Sequence, residues 1–360
     1  MKPSKKYSIA FILSLFCIGI HFYSTNHIKV ENVYSERFFP PFSSILRWGL
    51  GSIPFSTGDI LYGFFLCWLI VGVVSFIKKM IFDKSISIKE YSKEAMLSFY
   101  VLCTAIYIVF NIFWGINYNR KGIAWQLNMP IEKYKKEELV ALNSLLLMKV
   151  NAAKKVLKDK GEGYPSTQQL FTKVTIAYDT AFKQYPFLHY HHASIKSSMW
   201  GWWGNYLGFS GYYNPFTGEA QVNTCMPKFL QPFIACHEVA HQLGYAKENE
   251  ANFVGFIAAI SSKDTLLHYS SYLDLFMYAN RNLYYVDSVT AKKYREVLSV
   301  DVQTDIAEWS KFNSVHQNPI EPIITWVYDK YLKGNEQQGM MSYNQVTALL
   351  IAYYKKKGDL

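Results

Sequence analysis

The sequence predicts a mainly α protein, with three N-terminal transmembrane helices followed by a mostly helical domain that carries a small β-element. Three observations lead there. Long apolar runs are confined to the first third of the chain, apolar residues at three- and four-residue spacing dominate the remainder, and one stretch punctuated by Gly and Asn-Pro breaks that period. At 360 residues, half of them apolar and only 18% charged, the chain is too hydrophobic for disorder and too long for one small domain.

The apolar runs cover residues 7–23, 60–77 and 96–116, each close to the roughly 20 residues a helix needs to cross a bilayer. Lys2, Lys5 and Lys6 precede the first run as they would in a signal peptide, but HFYSTNH offers no small-x-small cleavage site, which favours an uncleaved anchor. Lys78, Lys79, Lys84, Lys89 and Lys93 crowd the link between the second and third runs and match the basic N-terminus, so both belong on the cytoplasmic side. Three crossings then place a domain of residues 119–360 outside the cytoplasmic membrane, beyond a membrane region of residues 1–118. The loop 24–58, with amphipathic pieces such as SSILRWGL, is expected on the outer membrane surface. A net charge of +10 fits lysines beside lipid, and no basic helix or recognition motif supports a nucleic-acid partner.

Within the outer domain, helical periodicity marks residues 131–160, 166–184, 265–287, 290–310 and 342–356. The stretch 200–224 reads instead as strand, turn, strand around YYNPFTGEAQVN. Its second strand, Glu219 to Asn223, is expected either as an edge strand that pairs with an extended substrate or as a structural hairpin. Trp200, Trp202, Trp203, Tyr206, Phe209, Tyr212 and Tyr213 could line a cleft, although core packing is the commoner use of such residues. Cys225 and Cys236 make no disulfide framework; they could pair or pack as free thiols. His189, His191 and His192 are expected to be solvent-exposed rather than ligating.

The chemistry-bearing segment is QPFIACHEVAHQLGYAKENEANF. Pro232 suits the first turn of a helix and Gly244 its end. The four-residue offset of His237 and His241 puts both imidazoles on one helix face, where they can share one Zn²⁺, and Glu238 beside them is placed to take a proton from water as catalytic base. A reversal through YAKE starts a second helix near Glu248. There Glu250 shares a stripe with Val254, Ile257 and Ala258, where a carboxylate without a partner is expensive to bury, so Glu250 is the expected third metal ligand. Glu248 aligns with Asn252 and Gly255 and is favoured at the helix start by the dipole; it is expected to orient His241, or to exchange roles with Glu250.

HEVAH followed by ENEANF resembles the zinc metallopeptidases of the gluzincin type, whose third ligand is a Glu on a helix after the histidine pair. Nearly the whole chain is similar to a bacterial membrane-protein family catalogued as domain of unknown function 3810, through LGSIPFSTGD, GYYNPFTGEAQVN, HEVAHQLGYAKENEANF and a late SYNQV segment that includes Tyr343. The resemblance implies a zincin-like fold and a membrane-anchored zinc peptidase acting on protein or peptide substrates. Two other classes remain open: a non-proteolytic zinc amidase acting on cell-wall peptides, and an inactive membrane scaffold or receptor.

Overall fold

A computed structural model describes residues 3–83, 87–161, 163–335, 337 and 345–360. The chain opens with α1 (Pro3–Ser24), a single turn α2 (His27–Lys29), a π-helical stretch Val30–Phe38, and α3 (Phe39–Leu50). Two long apolar helices follow, α4 (Thr57–Phe82) and α5 (Ile88–Phe113), then a 3₁₀ turn Gly115–Asn119 and the short α6 (Ile123–Gln126). The remainder comprises α7 (Lys136–Lys160), α8 (Thr167–Gln184), β1 (Ile195–Ser197), α9 (Gly201–Leu207), β2 (Gly211–Asn214), β3 (Glu219–Val222), α10 (Gln231–Gln242), α11 (Glu248–Ser261), α12 (Thr265–Val286), α13 (Ser288–Glu296), α14 (Val300–His316), α15 (Glu321–Gly334) and α16 (Val346–Lys357).

Three helices are long and apolar enough to cross a membrane: Lys5–Ser24, Thr57–Phe82 and Ile88–Phe113. They outrun the expected limits mainly because their polar ends remain helical. α1 and α5 pack side by side, tied by Ser14 to Tyr100 at 2.7 Å and by Lys6 to Ser98 at 3.0 Å. The link 24–58, expected as a surface loop, is mostly helical. It turns one face inward, burying Val30, Tyr34, Phe39 and Arg47, and leaves Ile45 and Trp48 exposed.

The two long apolar helices α4 and α5 are locked to the rest of the chain at one end each. The first backbone N–H groups of α4 have no partner within the helix. Ser56 accepts from Asp59 N at 2.9 Å, and the Glu219 carboxylate of β3 accepts from Thr57 N at 3.1 Å and Gly58 N at 2.6 Å. Asp59 in turn accepts from Met199 N at 2.6 Å and from the Tyr212 hydroxyl. At the other arm, Trp114 follows the last turn of α5 and donates Nε1–H to the carbonyl of His241 at 3.0 Å.

The sheet order is β1-β3-β2, with β1 parallel and β2 antiparallel to β3. The segment 219–223 is therefore centred on the middle strand, and the edge-strand expectation for it is corrected: both ladders of β3 are occupied, because β1, unrecognised as a strand, pairs Ile195 to Ser197 along its other side. Behind the sheet, α8, α11 and α12 pack against α10, and α7 and α16 pack against α12 from outside, in one core that includes Leu146, Val174, Tyr178, Cys236, Val239, Phe256 and Leu273. The expected helix 290–310 is two helices broken at 297–299. α15 was not anticipated. Residues 342–344, Tyr343 among them, lie outside the described residues. Cys225 and Cys236 are both free thiols, the first exposed and the second buried.

Candidate metal centre

α10 begins as its sequence dictates, with Pro232 in the first turn, and ends at Gly244, whose φ of +89° is costly for any residue with a Cβ. The reversal lays α11 against it. The contact is tightest at Gly255, where an added Cβ would lie 3.0 Å from the backbone nitrogen of His237. This close approach aims the stripe Glu248, Asn252, Gly255 at the histidine face of α10.

The imidazoles of His237 and His241 stand with ring centroids 4.6 Å apart. His237 Nδ1 is 2.8 Å from Asn252 Oδ1, and His241 Nδ1 is 2.7 Å from the carbonyl of Tyr245. Both acceptors hold a proton on Nδ1 and turn each Nε2 toward Glu248. Glu248 Oε2 lies 3.3 Å from His237 Nε2 and 3.6 Å from His241 Nε2. One ligand atom from each of His237, His241 and Glu248 falls within 4.8 Å of the others, a group able to hold a metal ion.

Glu250, the expected third ligand, is not in this group. Its carboxylate turns to the loop at Gly122, near Arg120 and Lys247, where burial raises its pKa and those two cations lower it. The reason is that α11 is buried on more than one side, so the apolar stripe that includes Val254 and Ile257 does not single out the face toward the histidines. The stripe with the small residue does. Glu248 supplies the partner that an acid at a helix start had not required.

The electrostatics suit a cation. Burial opposes ionisation of Glu248, but His241 and His237 outweigh it and hold this carboxyl well below its usual range. Burial also disfavours a charged His237, yet Glu248, Glu238 and Asn252 raise it to about 9. Glu238 is pushed up to about 7 by burial, offset in part by the two histidines. Its Oε2 is buried without a hydrogen-bond partner. Gly211 on β2 makes room for it, since a Cβ there would lie 2.6 Å from Glu238 Oε1.

These groups line a cavity of about 1230 Å³. Tyr278 and Asp274 of α12 and Tyr328 of α15 border the same space. Tyr328 donates to Glu248 Oε1 at 2.8 Å, and Tyr278 interacts with the Asn252 side chain while burial keeps its phenol protonated, well above the usual range. Neither tyrosine was anticipated. Tyr278 lies in an expected helix, but its approach to Asn252 is a tertiary contact without a local signature; α15 carried a signal in Glu321-Pro322 followed by apolar spacing. The aromatic stretch divides: Trp200, Trp203, Phe209, Tyr212 and Tyr213 line the cavity, whereas Trp202 and Tyr206 do not. His189, His191 and His192 are exposed and outside the metal-ligating group.

No curated protein and no solved structure matches the chain. A family model described as "Protein of unknown function (DUF3810)" matches residues 34–351. That span takes in most of the helical link, all of α4 and α5, the sheet and the histidine helix with its partner, so the chain belongs to the DUF3810 family.

Proposed function

We propose that the protein is a membrane-anchored, zinc-dependent peptidase whose soluble domain works outside the cytoplasmic membrane. The observation that carries the reading is the convergence of His237 Nε2, His241 Nε2 and a Glu248 carboxylate oxygen beside the buried, unpartnered Glu238 at the wall of a large cavity. Two neutral imidazoles and one carboxylate are a donor set that Zn²⁺ accepts, and three protein donors leave a position for solvent or substrate. Zn²⁺ held there would supply Lewis-acid polarisation of a carbonyl and bring the pKa of water toward about 7.

The chain's own groups perform the rest. Asn252 and the Tyr245 carbonyl fix the tautomer and tilt of the two rings. Glu238, near neutrality in its pKa, takes a proton from the attacking water and returns it to the leaving amine. Tyr278, a protonated phenol on the cavity wall, can donate to the oxygen on which negative charge develops. β2 rather than β3 offers an edge to the cavity for an extended peptide, with Gly211, Tyr212 and Tyr213 lining it.

The test is zinc content and peptide hydrolysis by the purified full chain. About one zinc per chain is expected, with cleavage of unfolded protein that is lost in Glu238→Gln while zinc remains. Cleavage of isolated wall fragments but of no protein would move the reading to an amidase. Stoichiometric zinc without hydrolysis of either would leave a scaffold.

A further inference from the structure

The cavity does not stop at the soluble domain. Among the described residues, contacts between α4 and α5 lie at the end far from that domain: Phe76 stacks on Tyr91 at 5.3 Å, Lys79 sits 5.0 Å from the same ring, and Ser92 reaches Met80. At the near end the turn between β2 and β3 stands between the two helices. Its Phe216 ring is 6.4 Å from Tyr62 of α4 and 6.3 Å from Phe113 of α5. The helices form a fork, and the cavity that holds His237, Glu238, His241 and Glu248 runs into it, bounded by Tyr62, Gly63 and Leu66 on one arm and by Phe110 and Trp114 on the other.

Leu66 lies roughly 14 Å along the helix axis from Thr57, well inside a segment apolar enough to span a membrane. An extended polar peptide has no use for a wall at that depth, where its backbone groups would go unsatisfied. An apolar helix, with its hydrogen bonds internal, meets that requirement. The outer end of the fork is also close to the ligands, since the Trp114 ring is 5.9 Å from that of His241. Only a few residues of extended chain would join a helix in the fork to a bond at the metal centre.

We infer that the fork receives the membrane-inserted apolar helix of the polypeptide being cut, so that the substrate class is membrane-anchored polypeptides cleaved just outside the bilayer. This rests on the peptidase reading above. In the step itself, water adds to the carbonyl carbon, the C–N bond breaks, and the water's proton passes through Glu238 to the departing amine. One fragment stays in the membrane and the other is released.

The experiment uses the full chain with zinc in phosphatidylethanolamine–phosphatidylglycerol vesicles and two peptides of the same cut sequence. One continues within a few residues into an apolar helix of about 20 residues, and the other ends in polar residues. The anchored peptide is expected to be cut with a kcat/KM at least about tenfold higher. Leu66→Trp, which fills the fork from a side chain that is half exposed, should bring that ratio to within about twofold of one. Phe64→Trp, on another face of α4 and away from the cavity, should keep the ratio, and zinc content verifies that each variant is folded. Equal cleavage of both peptides overturns the inference and leaves the peptidase reading standing. A preference that survives Leu66→Trp overturns it too, since mere partition into lipid would then explain the ratio. Cleavage of neither peptide overturns both.

Discussion

The two walls of the cavity are built differently. On one side α10 and α11 are buried almost throughout, joined by backbone-to-backbone proximity at Gly255, and carry all three metal-ligand candidates and Glu238. On the other, α15 buries only Leu332 and leaves Ile323, Trp326 and Val327 more than half exposed. It is attached through polar contacts: Tyr328 to Glu248 at 2.8 Å, Tyr331 to Tyr118 at 3.0 Å, and Asn318, just ahead of it, to the Tyr206 carbonyl at 2.6 Å. The candidate ligands sit on the packed wall, and the covering wall is the more exposed one, the kind of element that opens locally at low cost. Changes on the first wall should abolish chemistry or folding, and changes on the second should alter access.

The largest effect is expected from His237→Ala. Removing one of three ligands should weaken metal binding by more than the roughly 10–100-fold that loss of a supporting partner costs, and zinc analysis after dialysis reads it directly. Retention of full zinc in this variant would refute the site.

Glu238→Gln should lower kcat by roughly 10²–10⁴-fold with zinc retained. It also tests the buried charge. The folded protein holds this carboxyl at about 7 against an ordinary 4.5, so the native state binds more protons here between those values, and this group's contribution to stability falls as pH rises through that window and levels above 7. The variant loses that slope. Without metal it should be more stable than the parent above pH 7, by on the order of 1–3 kcal/mol, with the difference vanishing near pH 4.5. Parallel melting curves in chelator across that range would contradict the burial argument.

Gly255→Ala brings a methyl group 3.0 Å from the His237 backbone nitrogen, a neighbour that cannot swing aside. The packed wall should lose about 1–3 kcal/mol and bind zinc more weakly. An unchanged melting temperature would mean that the two helices have slack.

The same contrast explains what was legible beforehand. The three long apolar helices and the histidine pair follow from composition and i,i+4 spacing, which are local properties. Glu248 against Glu250 was a question of which face of α11 meets α10, and burial on several sides erased the amphipathic signal that usually answers it. Gly255, one stripe position from Asn252, held the answer, because the small residue marks the closest approach of two helices. The edge-strand expectation failed on a long-range fact as well: β1 reaches β3 by a parallel pairing across 25 residues, from Ile195 to Ala220, and nothing in IKS alone announces it. The helical character of 30–50 was hidden by Pro40 and Pro41, which the first turn of α3 accommodates.

The smallest expected effect lies on the covering wall. Tyr328→Phe removes the hydroxyl that donates to Glu248 and keeps the ring, a loss of about 1 kcal/mol. On the packed wall such a change would be diluted by surrounding contacts, but α15 buries little among the described residues, so the loss should appear as local opening. Hydrogen exchange should quicken roughly fivefold across α15 and stay unchanged in α10, with KM moving more than kcat. Equal acceleration in both helices would show that α15 is part of the same cooperative unit as the ligand helices. The contrast between the walls would then be one of exposure only, and access to the metal centre would depend on the whole domain opening.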